Sequence, residues 1–166
     1  MSVSRRKTLL TAVALTAGLS LAAVTPALAG SGASHAPRAA VVSSAQGDPR
    51  NVTQRVADFY GAYIDSVWAI EDPTAGPNAK ALRAFYLTSA AQKKVAAYEK
   101  KNHADGILFA QNVPVKWKVA YTGSGAGHAT SRVTLTWGDG PGAEVTKIDV
   151  RSDLNTLKIT DLKPAR

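Results

Sequence analysis

The sequence predicts an α+β domain in which three N-terminal helices pack on a curved antiparallel sheet of about four strands. Three observations predict it. Apolar residues recur at spacings of three and four from Val52 to Trp68, the period of one helix face. Beyond Asp105-Gly106 the period drops to two, as in strands with one face buried. The alternating runs are joined by short glycine-rich segments, and short joints make consecutive strands antiparallel neighbours. Helices first and a meander afterwards put the helices on one face of the sheet.

The first helix is expected to start at Asp48-Pro49, with Asp capping the first amides and Pro at the first helical position. Its apolar stripe runs through Val52, Val56, Phe59, Tyr60, Tyr63, Val67 and Trp68. Asp72-Pro73 and Gly76-Pro77 end it, and a second helix is expected from Asn78 to Tyr86. Thr88 or Ser89 then caps a third helix reaching about Lys101. Lys100, Lys101 and His103 cluster at its end, the sign favoured by the helix dipole. In the first strand Val115, Trp117, Val119 and Tyr121 alternate with Lys116, Lys118 and Ala120. Gly123 to Gly127 turn the chain into a second strand, where Val133, Leu135 and Trp137 share a face. Gly138 to Gly142 turn it into a third, with Ile148 and Val150 inward and Lys147, Asp149 and Arg151 outward. Ser152 to Asn155 lead to a fourth strand holding Leu157 and Ile159.

Ahead of this domain (48–163), residues 1–29 have the form of a signal peptide. Arg5-Arg6-Lys7 precede an apolar stretch from Leu9 to Val24, and Ala27-Leu28-Ala29 offers a small-x-small cleavage site. Cleavage after Ala29 would release a secreted protein. Ser4 to Leu10 partly resembles the twin-arginine signal of bacteria, with Thr8 where that motif prefers Phe, and an ordinary basic leader accounts for the same residues. Residues 30–47 are rich in Ala, Ser and Gly without a sustained period, as expected of a flexible arm. The chain has 166 residues, 20 Lys and Arg against 12 Asp and Glu, and a net charge of +8. Without the three leader cations the balance is 17 against 12, a mature charge of +5. No cysteine is present, which excludes disulfides, thiolate metal sites, a thiol nucleophile and a cysteine-linked lipid anchor.

Asp58 to Tyr63 on the first helix, followed by Leu82-Arg83-Ala84-Phe85-Tyr86-Leu87-Thr88, is similar to the opening of nuclear transport factor 2-like domains. Phe59-Tyr60, Phe85 to Thr88, Asp105 and Ala110-Gln111-Asn112-Val113-Pro114 more narrowly resemble an uncharacterised family of exported bacterial proteins with that fold. The resemblance spans about residues 50–163 and implies a cone-shaped roll. Asn112 stands where that family often has Asp, and Thr156 to Ile159 replace its Trp-x-Ile strand end. Such folds host enzymes, binders and assembly modules alike.

The resemblance implies a pocket between the first helix and the inner sheet face, which Tyr60, Tyr63, Trp117, Tyr121 and Trp137 would line, as amphipathic aromatics suit a ligand cavity. A filled hydrophobic core accounts for the same residues. Acid–base chemistry in such a pocket would fall to His103, Asp105 or Asp65. No convergent metal set, phosphate loop, dinucleotide fingerprint or nucleophile elbow is present, so no cofactor is expected. On the outer sheet face Lys116, Lys118, Arg132, Lys147 and Arg151 alternate outward, with Lys158 a further candidate. That face suits an anionic partner such as a cell-surface polymer or another exported protein. Nucleic acid is not expected, because the face has no aromatics for base stacking. The resemblance also implies that this face could pack a second copy in a homodimer, which its like charges would oppose unless anions screen them. Three functions fit: an exported non-catalytic binding module, a small-molecule hydrolase, dehydratase or isomerase, or an inhibitor of immunity type.

Overall fold

The computed structural model describes residues 46–166, three helices followed by a four-stranded antiparallel sheet, an α+β arrangement. The leader 1–29 and the arm up to residue 45 lie outside the described residues. Helix α1 (Val52–Trp68) is capped by Asn51, whose side chain accepts from the N–H groups of Thr53 and Gln54 at 3.0 Å. The expected start at Asp48-Pro49 falls too early. Asp48 is occupied within its own turn, accepting from the Arg50 N–H at 2.9 Å, and its carbonyl accepts from the Asn51 N–H. Helix α2 (Ala75–Tyr86) begins ahead of Gly76-Pro77, not after them. Pro77 lies in the first turn, where a missing N–H removes no helical bond, and Asp72 secures the entry by accepting from the Thr74 N–H and hydroxyl at 2.7 Å. Helix α3 (Ser89–Asn102) is capped by Thr88 and ends on His103, which turns left-handed at φ 52°.

Strands β1 (Lys116–Gly125), β2 (His128–Trp137), β3 (Glu144–Asp153) and β4 (Ile159–Pro164) lie side by side in chain order. The β1–β2 turn is tighter than expected. β1 continues through Gly125, and only Ala126 and Gly127 turn the chain, both at positive φ of 49° and 76°. Two such residues match the right-handed twist of a hairpin. Gly123 instead belongs to an irregularity in the β1–β2 register. Leu157 is not in β4 either. At φ 57° it belongs to the preceding turn, where the Asp153 carboxylate accepts from the Asn155 and Thr156 N–H groups. The Thr156 N–H and hydroxyl, and after them the Asn155 N–H, hold Asp153 below the usual carboxylate range.

The α1 stripe places Val56, Phe59, Tyr60, Tyr63 and Ile64 on the inner sheet face, against Val133, Leu135, Ile148 and Val150. Burial of each aliphatic side chain of this kind contributes about 2 kcal/mol. The apolar run after Asp105 is a loop whose Ile107 and Leu108 also enter this core. No residue pointing to the other face from β1, β2 or β3 is buried. The two sheet edges differ. Beside β4, Leu87 forms a parallel bridge with Ile159, and the Thr88 N–H donates to the Ile159 carbonyl at 2.9 Å. β1 pairs with β2 alone among the described residues. Its inner row is therefore more open than half-buried alternation predicts: Trp117 is 38% and Tyr121 56% exposed.

Candidate functional site

Three surfaces compete for function, and the first surrounds Asp105. One Asp105 oxygen accepts from the Ile107 and Leu108 N–H groups at 2.7 and 2.8 Å, the usual local bonding of an Asp at a turn. The other accepts from the Tyr63 hydroxyl and from Arg83 Nη2 at 3.1 Å. Arg83 also donates to the Tyr63 oxygen, reaches Glu99 at 2.7 Å, and lies 5.1 Å from the Tyr63 ring centre. Glu99 in turn accepts from the Gly106 N–H at 3.1 Å. Helices α1, α2 and α3 and the loop after α3 are thus tied together at one point. Burial, then the Asp105 carboxylate, push the Tyr63 phenol well above its ordinary value. Burial works to lower Arg83, but its bond to Tyr63 and the charges of Asp105 and Glu99 more than reverse that.

This arrangement is suited to holding elements together. Both Asp105 oxygens are engaged, so neither is free to take a proton from a substrate. His103 is exposed at the end of α3, beside a shallow depression bordered by Glu99, Asp105 and Gln111. Asp65 is exposed on α1. His103 and Asp105 border the same depression and Asp65 does not, and sequence reasoning missed the two partners that give Asp105 its role. Arg83 had a signal: a lone cation on the apolar side of a short helix.

The five aromatics proposed for a pocket are distributed differently. Tyr60 and Tyr63 are 0% and 1% exposed and fill the core, with Phe59 between them. The Tyr60 hydroxyl is satisfied by the Ile107 carbonyl at 3.2 Å. Trp137 packs on the core margin and donates to Thr146 at 3.0 Å. Trp117 lies over Gly61 of α1, where a Cβ would come within 2.8 Å of its ring. Only Tyr121 lines an open groove, between β1 and the first turns of α1. Burial against α1, not a cavity, takes up the large side chains.

The third surface is the outer sheet face. The registers place Lys116, Thr136 and Val145 in one row across the strands, and Lys118, Thr134 and Lys147 in the next. Ala120, Arg132, Asp149 and Lys163 form a third row, and Thr130, Arg151 and Asp161 a fourth. Arg132 is paired with Asp149 at 2.8 Å, and Lys116 reaches the exposed Asp139 at 3.4 Å. Asp161 is taken by Lys94 at 2.8 Å. Lys118, Lys147, Arg151 and Lys163 have no carboxylate within ion-pair distance among the described residues. Lys163 was not foreseen, because the fourth strand was placed too early in the chain. Lys158 lies outside the face, before β4, and donates to the Ala84 carbonyl.

No protein-family profile and no curated protein matches the chain. Among solved structures, the chain is similar to a crystal structure of a protein of unknown function from Bacteroides thetaiotaomicron. The two are 21% identical with a TM-score of 0.57, over 68% of this chain and 88% of the other. The likeness is one of fold.

Proposed function

We propose that the protein is an exported, non-catalytic binding module that engages an anionic partner through the outer face of its sheet. One observation carries this reading. Among the described residues, four cations stand unpaired on a face that nothing covers, and its carboxylates Asp149, Asp153 and Asp161 are all already engaged. Lys118 and Lys147 flank Thr134 at about 10 Å, two strand spacings. Repeating charge at that spacing suits a polymer or an acidic protein surface better than one small anion. The packing of Tyr60 and Tyr63 in the core and the engagement of both Asp105 oxygens favour binding over a pocket reaction. Export rests on the leader at residues 1–29, and the absence of cysteine supports release without a lipid tether. The order of elements further supports assignment to the nuclear transport factor 2-like class, with a curved, cone-shaped sheet.

Polyphosphate serves as the probe. Binding is expected at low salt, falling as salt rises. Lys118→Glu with Lys147→Glu is expected to weaken it about tenfold, a loss of ~1.4 kcal/mol. Reversal of the equally exposed Lys100 and Lys101 on α3 keeps net charge matched and should have little effect. Equal losses from the two pairs would show that only net charge matters, and would remove the sheet face as the site.

A further inference from the structure

We infer that the free edge of β1 is a second docking site, which takes an extended peptide of alternating acidic and apolar residues as an added strand. The two sheet edges differ. Leu87 and Thr88 bond the start of β4 at Ile159, whereas nothing among the described residues pairs with the outer side of β1. An unpaired edge presents a row of N–H and C=O groups to another chain, and main-chain bonding of this kind is a common mode of peptide capture. From Lys116 to Tyr121 the register with β2 is regular, and it slips only beyond Tyr121. The usable template is therefore six residues long.

The side chains beside this template specify the guest. On the inner side, Val119 and Tyr121 form one wall of a groove whose other wall is Thr53, Gln54 and Ala57 of α1. The groove has a volume of about 460 Å³, room for the apolar side chains of an added strand. On the outer side, Lys116 and Lys118 lie directly beside the edge, where cross-strand neighbours of opposite charge are favourable. Alternate guest residues fall on opposite faces, so acidic residues meet the lysines while apolar ones enter the groove. A second copy of this chain is a poorer guest, since it brings the same two lysines to the seam. Those lysines deter self-pairing at an exposed edge and attract an acidic strand.

The site shares Lys116 and Lys118 with the outer sheet face, but its groove lies on the inner side, so a change in the groove separates the two. A blocked hexapeptide of alternating glutamate and valine is titrated into the protein, followed by fluorescence anisotropy and amide hydrogen exchange. Saturable binding is expected, with added protection concentrated in residues 116–121. Ala57→Arg fills the groove from α1 without touching the outer face. It should weaken the peptide about tenfold while leaving polyphosphate binding unchanged. Lys116→Glu with Lys118→Glu should shift preference to the lysine–valine hexapeptide. The proposal is overturned if protection appears elsewhere, or if Ala57→Arg has no effect on the peptide. It is also overturned if sedimentation shows a dimer that Ala57→Arg dissolves, which would assign the edge to a second copy.

Discussion

Asp105 satisfies four donors with two oxygens, two from its own loop and two from the helices it joins. Its removal acts on both sets. Asp105→Ala leaves the Ile107 and Leu108 amides without an acceptor and takes from Arg83 one of its two carboxylates, leaving it Glu99 and the Tyr63 hydroxyl. Arg83 already has a buried Nε with no partner, so the cluster has little reserve. Breaking a largely buried pair usually costs 3–5 kcal/mol, and these side chains keep 22–23% exposure, so about 3 kcal/mol is expected. Asp105→Asn retains an acceptor for the loop amides and should recover part of that. Urea unfolding of the two variants measures the difference, and a loss near zero for Ala would mean the cluster is incidental. Asp105 was visible in the sequence as a polar residue in a helix-to-strand connection. Its partners were not, because Tyr63 and Arg83 lie 42 and 22 residues away and only packing brings them to it.

Among the elements, those with a strong period were legible and those decided by edges or caps were not. The α1 stripe and the alternation in β2 and β3 follow directly from residue spacing, because each has one face covered. β1 alternates just as clearly, but its place at the edge leaves Trp117 and Tyr121 exposed, and pattern alone does not say which strand is outermost. Helix starts depended on competition between caps: Asn51 holds two amides while Asp48 is held by its neighbour. The join between α3 and the following loop depends on one glycine. A Cβ on Gly106 would lie 2.8 Å from the Val95 carbonyl oxygen and 3.2 Å from Glu99 Cγ. The first of these is backbone and cannot swing aside. Gly106→Ala should therefore separate loop from helix, weaken the Gly106–Glu99 bond and cost about 2 kcal/mol. Gly61→Ala is the contrasting case. Its Cβ would meet the ring tip of half-exposed Trp117, and the helix propensity gained, about 1 kcal/mol, offsets the shift. Thermal melts of the two variants should rank Gly106→Ala well below Gly61→Ala, and the reverse order would refute the account.

For the whole molecule, the packing of Tyr60 and Tyr63 in the core makes stability depend on alkali. Tyr60 and Tyr63 are buried at the centre, and burial first, then the Asp105 carboxylate, raise both phenols above their ordinary value. A raised acid keeps its full contribution to stability below the unfolded-state value, near pH 10 for a phenol. Above that value the unfolded chain releases protons that the folded one retains, so unfolding becomes favoured as pH rises toward the folded values. Neither tyrosine opposes folding at neutral pH. The expected outcome is a stability plateau that falls steeply only beyond about pH 10. Of the five tyrosines, Tyr121 is exposed and Tyr86 and Tyr98 half-buried. An ultraviolet titration should show Tyr60 and Tyr63 ionising only as the fold is lost. Tyr63→Phe removes one of the two raised groups and should make the alkaline limb shallower. Its stability at neutral pH should fall, since Arg83 and Asp105 lose a shared partner. If Tyr60 and Tyr63 ionise while the near-ultraviolet circular dichroism of the core is unchanged, an open aromatic pocket lies where the packed core is described.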